Sequence, residues 1–237
     1  MPLTKARRVS LAHSVSAQLA RAIVAGDLPA GTPLQEISLA EKLGVSRAPV
    51  REALIELEMR GLVQFDPQGR TRVPTLSPGD IHDIHAVRLA LDPLAASLAA
   101  AQASPESLQA LERIIEATRS ARTLAEVCRL DTEFHDGIVR AGANRRLLLC
   151  WSVIRDQVEL WLGQMHLRKQ AATARIREAT VLSHRRLLEA IRSGKPEVAA
   201  EAGRRHIADW IQSMPQVAAD DAGGDADAPG TVSAPRR

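Results

Sequence analysis

The chain has 237 residues, 45% of them apolar and 25% charged, the profile of a soluble globular protein with one large domain or two small ones. It holds five aromatic residues, two Phe and three Trp with no Tyr; Ala, Leu, Arg and Glu dominate instead, which argues against an all-β fold and for helices. The formal net charge is +3; residues 1–76 hold ten Lys/Arg against seven Asp/Glu and residues 77–237 hold twenty-one of each, so the whole excess sits in the first third, a weak pointer to a polyanion partner there.

Residues 1–9 carry Lys5, Arg7 and Arg8 with no apolar stretch behind them, so no secretory signal is read and a mobile N-terminus is expected. Leu11, Val15, Leu19 and Ile23 follow at helical spacing, broken by Gly26–Gly31. A short helix is expected at about Ser38–Leu43, with Ser38 and Glu41 as a capping box and Gly44 as its end. Ser46 is placed to cap a helix over about Arg47–Arg60, where Pro49 is tolerated in the first turn and Gly61 stops the run. Leu62–Phe65 and Arg70–Val73, joined by Asp66-Pro67-Gln68-Gly69, read as a β-hairpin. Pro74 and Ser77-Pro78-Gly79 mark a linker. Beyond it six helices are expected, at about 79–102, 105–121, 123–141, 144–168, 172–193 and 196–214, the first bent at Pro93. The longest purely apolar run, Leu147–Trp151, is far short of the roughly 20 residues a membrane span needs. Cys128 and Cys150 cannot form a disulfide framework and are expected to be reduced core thiols of a cytoplasmic protein.

The fold expected is therefore mainly α: a mobile segment 1–9, a winged helix-turn-helix over 10–75, a linker at 76–79, an antiparallel six-helix bundle over 80–214, and a disordered tail over 215–237. A helix-turn-helix presents the first turn of its second helix to the major groove. Here that turn is Ser46-Arg47-Ala48-Pro49-Val50-Arg51. Arg47 and Arg51 are four apart and share one face, and an Arg bonds bidentately to guanine. Ser46 and the helix amino end suit a phosphate. Arg70 and Arg72, beside Gly69 in the hairpin, suit phosphates or the minor groove. An amphipathic helix with solvated arginines has the same spacing, so spacing leaves both readings open.

A second group reads as metal-ligating. Asp131 and His135 are four apart on one predicted helix, His184 lies two helices later and His206 on the last. Three imidazoles and a carboxylate suit a divalent first-row transition metal, and a bundle interior can gather them. Distant ligands cannot be paired from spacing alone, and an isolated Asp-x-x-x-His is often a surface pair. His82 and His85 also have ligand-like spacing but read as solvated, and His13 and His166 suggest no role.

The stretch Leu39-Ala40-Glu41-Lys42-Leu43-Gly44-Val45-Ser46-Arg47-Ala48-Pro49-Val50-Arg51-Glu52-Ala53-Leu54, with Leu57 and Gly61-Leu62-Val63, closely resembles the DNA-binding domain of GntR-family bacterial transcription regulators. That resemblance implies that Arg47 and Arg51 read bases, that Ser46, Ala48 and Pro49 line the DNA contact, and that the wing around Gln68, Gly69 and Arg70 approaches the minor groove. Ile37 stands where some members carry a DNA-contacting Arg, and Gln68 where many carry Arg. Asp131–Ile138, Gly142–Leu147, Val87–Asp92 and His184–Ile191 resemble the C-terminal FCD domain of the FadR branch, and six helices favour its VanR-like subgroup. Many such domains bind a divalent metal, so the resemblance implies Asp131, His135, His184 and His206 as ligands of zinc or nickel.

The chain so read is a DNA-binding regulator, with repression relieved by a small organic carboxylate at the metal, and a homodimer on a pseudo-palindromic operator. Arg88 is the candidate partner of the effector carboxylate, with a structural salt bridge as its equal alternative. Asn144 is a second effector candidate, though a helix cap suits it better. Trp151 and Trp161 suit core or dimer packing. A metal sensor and a metal enzyme are the rival classes. The enzyme lacks a placed base, since Glu133 and Asp136 turn partly away from the Asp131/His135 face.

Overall fold

The structure, a computed structural model, describes residues 11–166 and 173–212; the segments expected to be mobile (1–9) and disordered (215–237) lie outside it. Val15, Leu19 and Ile23 fall on one stripe of α1 (Leu11–Ala25) and are buried. They meet Val50, Ala53, Leu54 and Leu57 of α3 (Arg47–Met59), with Leu39 and Ala40 of α2 (Glu36–Leu43) closing the same core. Leu54 and Leu57 are fully buried, and each contributes about 1.5–3 kcal/mol relative to an exposed side chain. Strands β1 (Gln64–Phe65) and β2 (Thr71–Arg72) pair antiparallel, Gln64 opposite Arg72 and Phe65 opposite Thr71, and Pro33 bridges to Arg72 at the edge. This is a winged helix-turn-helix.

The start of α2 differs from expectation. Its N-cap is Gln35, without a side-chain cap bond. Ser38 therefore lies inside the first turn and cannot form the expected capping box with Glu41. Ser46 does occupy the N-cap of α3, also without a side-chain cap bond. Its hydroxyl is not committed to the helix.

The second domain is built from α4 (Pro78–Gln102), α5 (Pro105–Ser120), α6 (Leu124–Ala141), α7 (Arg145–His166), α8 (Thr173–Arg192) and α9 (Pro196–Gln212). Most starts are capped: Ser77 with Asp80 and Thr123 with Glu126 form capping boxes, and Ser104 caps α5. The expected linker thus runs directly into a helix at Pro78. Helix α4 is long and apolar enough to cross a membrane by length and composition. Its inward face nevertheless carries Arg88 and Asp92, both buried in the bundle, as a core helix with a polar site would. Gly203 of α9 lets that helix lie against α4: a Cβ there would stand 3.2 Å from Pro93 Cα and 3.3 Å from Asp92 O.

Helix α7 spans both domains. Leu160 belongs to the core of the DNA-binding head, while Trp151 belongs to the core of the bundle. Arg60, which caps α3, donates from Nε to Asp156 Oδ2 at 2.6 Å and from Nη1 to the buried Ser16 hydroxyl at 3.4 Å. Gln164 donates to the Pro74 carbonyl at 2.9 Å. Gly61 packs so closely that a Cβ would meet Gln157 Nε2 at 2.7 Å.

Two burial expectations are corrected. His85 is buried, edge-on to Trp161 with ring centroids 6.0 Å apart. Its position on the inner side of α4 places it against α7, and burial, with the Arg88 charge, lowers its pKa to about 4. Cys150 is exposed and free, whereas Cys128 is buried and its thiol is pushed up to about 12 by burial.

Candidate DNA interface and metal centre

At the front of α3, Arg47 and Arg51 present side chains 66% and 72% exposed. One carboxylate lies between them. Arg47 Nη2 donates to Glu36 Oε2 at 3.2 Å, and Arg51 Nε lies 3.9 Å from Glu36 Oε1. Glu36 is the first residue of α2, so the two helices of the motif meet through this group. Sequence reading missed it, because the contact joins residues on different helices. Ser46 and Ala48 are exposed and Pro49 is half-buried beside them.

The wing is organised by Asp66. Its carboxylate accepts from the Gln68 and Arg70 amides at 3.0 and 2.9 Å and from Arg70 Nε at 2.6 Å. These bonds and the Arg70 charge hold the Asp66 carboxyl below its usual range. Gly69 adopts φ 75°, the left-handed conformation in which a side chain is strained. Gln68, Gly69 and Arg70 are all exposed at the tip.

The bundle interior gathers the histidines. His135, His184 and His206 each bring a ring nitrogen to within 4.8 Å of the others. His135 Nε2 and His206 Nε2 lie 3.1 Å apart. Their outer nitrogens are held from behind: Asp92 Oδ1 lies 2.6 Å from His135 Nδ1, and the Ser183 hydroxyl lies 2.6 Å from His206 Nδ1. Such partners turn the Nε2 lone pairs toward a shared centre, as around metal-ligating imidazoles. The buried His184 ring stacks on Phe134 at 4.0 Å. Its Nε2 lies 3.1 Å from Asp131 Oδ1 without a directed hydrogen bond. Asp131 thus joins the cluster through His184.

Electrostatics fit this arrangement. Burial and the neighbouring imidazoles lower the His206 pKa well below its usual value, and burial lowers that of His184. Burial alone would raise the carboxyls, but Arg88 and His135 hold Asp92 low, and His184 and His135 hold Asp131 low. Imidazoles held neutral at His184 and His206, beside ionised carboxylates, are the protonation states that a divalent cation requires. The three-histidine donor set, with two rings held from behind and nitrogens within a few ångströms of one another, fits such an ion.

Of its two expected roles, Arg88 takes the structural salt bridge. It pairs with Asp92 at 3.3 and 3.4 Å, and its Nη2 lies 3.0 Å from His135 Nε2. Its guanidinium also sits 5.9 Å from the Trp151 ring centre. The Trp151 ring stands 6.1 Å from that of His135, and its buried indole N–H meets no acceptor among the described residues. Asn144 is further off in role: its side-chain oxygen accepts from the Arg146 and Leu147 amides, both at 3.0 Å, and is committed to capping α7. Glu133 and Asp136 pair outward with Arg129 and Arg140. Asp92, Ser183 and Trp151 were not read as site residues. Asp92 had one signal, its place four residues after Arg88 on the same helix.

A two-domain protein with an arginine-tipped winged helix and a buried histidine cluster is the class of DNA-binding transcription regulators, and the comparisons agree. Residues 11–73 match the family described as bacterial regulatory proteins, gntR family, and residues 83–209 match the FCD domain. The chain belongs to the GntR family and carries an FCD domain, as in the FadR-type branch. It is 31% identical over 210 residues to a Paenarthrobacter nicotinovorans protein named as a probable D-xylose utilization operon transcriptional repressor, covering 86% of this chain and 88% of that one. It is 30% identical over 194 residues to the uncharacterized HTH-type transcriptional regulator YdhC of Bacillus subtilis, covering 80% and 84%. Among solved structures, Escherichia coli McbR/YncC superposes with a TM-score of 0.72 at 24% identity, over 88% of this chain and 99% of that one. These relatives are regulators rather than enzymes.

Proposed function

We propose that this regulator is a repressor whose operator affinity is lowered by a small organic carboxylate bound beside a divalent transition metal in the bundle. The observation that carries the reading is the buried Arg88 guanidinium, 3.0 Å from the Nε2 of one of the three clustered histidines. His135, His184 and His206, with Asp131, would hold the ion, with zinc or nickel suiting the imidazole-rich set. When bound, the metal supplies open coordination positions to an anionic oxygen. Arg88 pairs with the carboxylate through parallel N–H donors. The unpartnered Trp151 N–H offers another donor, the kind of buried group that a bound oxygen completes.

Helix α7 supports a route from this site to the DNA. Trp151 borders the cluster, and Asp156, five residues on and about 7.5 Å along the helix, grips Arg60 at the end of α3. A ligand that moves Trp151 therefore moves the anchor of the recognition helix. In a two-fold homodimer this resets the spacing of two heads on a pseudo-palindromic site, with Arg47, Arg51, Ser46, Ala48 and Pro49 in the major groove and Gln68, Gly69 and Arg70 at the minor groove. The repressor sign is taken from the Paenarthrobacter relative's name.

The test is elemental analysis with an operator-binding assay, screening organic acids with and without chelator. His184→Ala and His206→Ala should each lose the metal and the acid response while still binding DNA. Full metal occupancy in either variant overturns the site, and a response to metal alone makes the protein a metal sensor.

A further inference from the structure

Glu36 is the sole carboxylate described within 4 Å of either arginine at the front of α3, at 3.2 Å from Arg47 Nη2 and 3.9 Å from Arg51 Nε. Two guanidiniums one helical turn apart repel each other. A carboxylate between them relieves that repulsion and restricts two long side chains whose freedom would otherwise be lost on binding. Each guanidinium has five N–H donors, so a contact through one nitrogen is compatible with bonds from others to a base edge. As an exposed ion pair the contact adds little to stability. Its consequence falls on what the arginines bind.

We propose that Glu36 is a positioning residue that sets DNA specificity by holding Arg47 and Arg51 toward base edges and away from phosphate. The inference rests on the reading of those two arginines as the base-contacting pair. A phosphate approaching the arginines meets the Glu36 charge as well, whereas the uncharged acceptors of guanine meet much less repulsion. The carboxylate thus penalises the wrong partner, which is how specificity is raised without new attractive contacts. It also removes one effective positive charge from the sequence-independent component of binding.

The probe is the duplex that the wild-type protein enriches from a randomised pool, set against a scrambled duplex of the same composition, with the full-length protein throughout. Glu36→Gln should bind the scrambled duplex more tightly, with a salt dependence steeper by about 0.9 in log–log slope. Its preference for the selected duplex should narrow about tenfold. Glu36→Asp keeps the charge and the favourable place at the helix amino end, but is one methylene shorter. It should restore the wild-type salt slope without restoring the preference, which separates placement from charge. Thermal unfolding of Glu36→Asp should match wild type and that of Glu36→Gln should fall only slightly, as expected for an exposed pair at a helix amino end. An unchanged preference in Glu36→Gln, or full recovery in Glu36→Asp, overturns the positioning role. If Arg47→Ala and Arg51→Ala also retain full preference, the underlying reading of the arginines fails; if they lose it while Glu36→Gln keeps it, only the role of Glu36 falls.

Discussion

Arg47 and Arg51 are exposed and make no core contacts, so their effect is confined to what they touch. Arg47→Ala and Arg51→Ala should each abolish discrimination between selected and scrambled duplex while changing stability by no more than about 0.5 kcal/mol; retained discrimination in a shift assay refutes the role. His85 carries a different kind of consequence. Its folded pKa of about 4 lies below the ordinary imidazole value of 6.5, so as pH falls the unfolded chain takes up the proton first. Stability is therefore full above pH 6.5 and is lost as pH falls toward 4, by up to about 3 kcal/mol from this residue. His85→Phe should flatten that part of the stability–pH curve in denaturant titrations. An unchanged slope would show that His85 is not held neutral. At this scale the sequence was legible for charged tips and poorly legible for burial. The spacing of His82 and His85 is the same whichever of them faces inward, and only the packing of α7 on α4 covers His85.

Two helix contacts set what the elements transmit. Gly203 brings α9, and with it His206, against α4 at Asp92 and Pro93. Gly203→Val should force the helices apart, at a cost of about 1–3 kcal/mol. It should also weaken metal binding, because His206 moves with α9. Wild-type metal affinity in a stable Gly203→Val protein would show that the close approach does not position His206. The other contact is Arg60 with Asp156. Asp156→Asn removes the charge that anchors α3 to α7 and should uncouple the head from the bundle. DNA affinity without effector should stay within about threefold, while the effector-induced loss of affinity shrinks several-fold. An undiminished response would move the signal route off α7. Neither contact was visible from the helix boundaries, although those boundaries were: Gly61, Ser104-Pro105, Gly142 and Gly194-Lys195-Pro196 punctuate the chain where the helices end. Boundaries follow from local caps and breakers, whereas helix neighbours do not.

For the molecule as a whole, metal and effector binding should appear as linked stabilisation. An organic acid that ligates the metal and pairs with Arg88 should raise the melting temperature only in metal-loaded protein, and chelator should remove the shift; an equal shift with and without metal would separate the effector from the cluster. The chain's periodicity, helix breakers and most of its caps were sufficient to specify a winged helix followed by six helices, because these are short-range properties carried by spacing along one helix and by residues that start or stop it. Spacing put Arg47 beside Arg51 and Asp131 beside His135, but it was the resemblance to a known family that joined His184 and His206 to them as one candidate set. The convergence of the three histidines on one centre depended on tertiary packing, as did the placing of Asp92 and Ser183 behind two of them. So did the seating of Glu36 between the arginines and the reach of α7 from Trp151 to Arg60. A helical repeat determines which residues share a face, but the partner of that face is chosen by the packing of the entire chain.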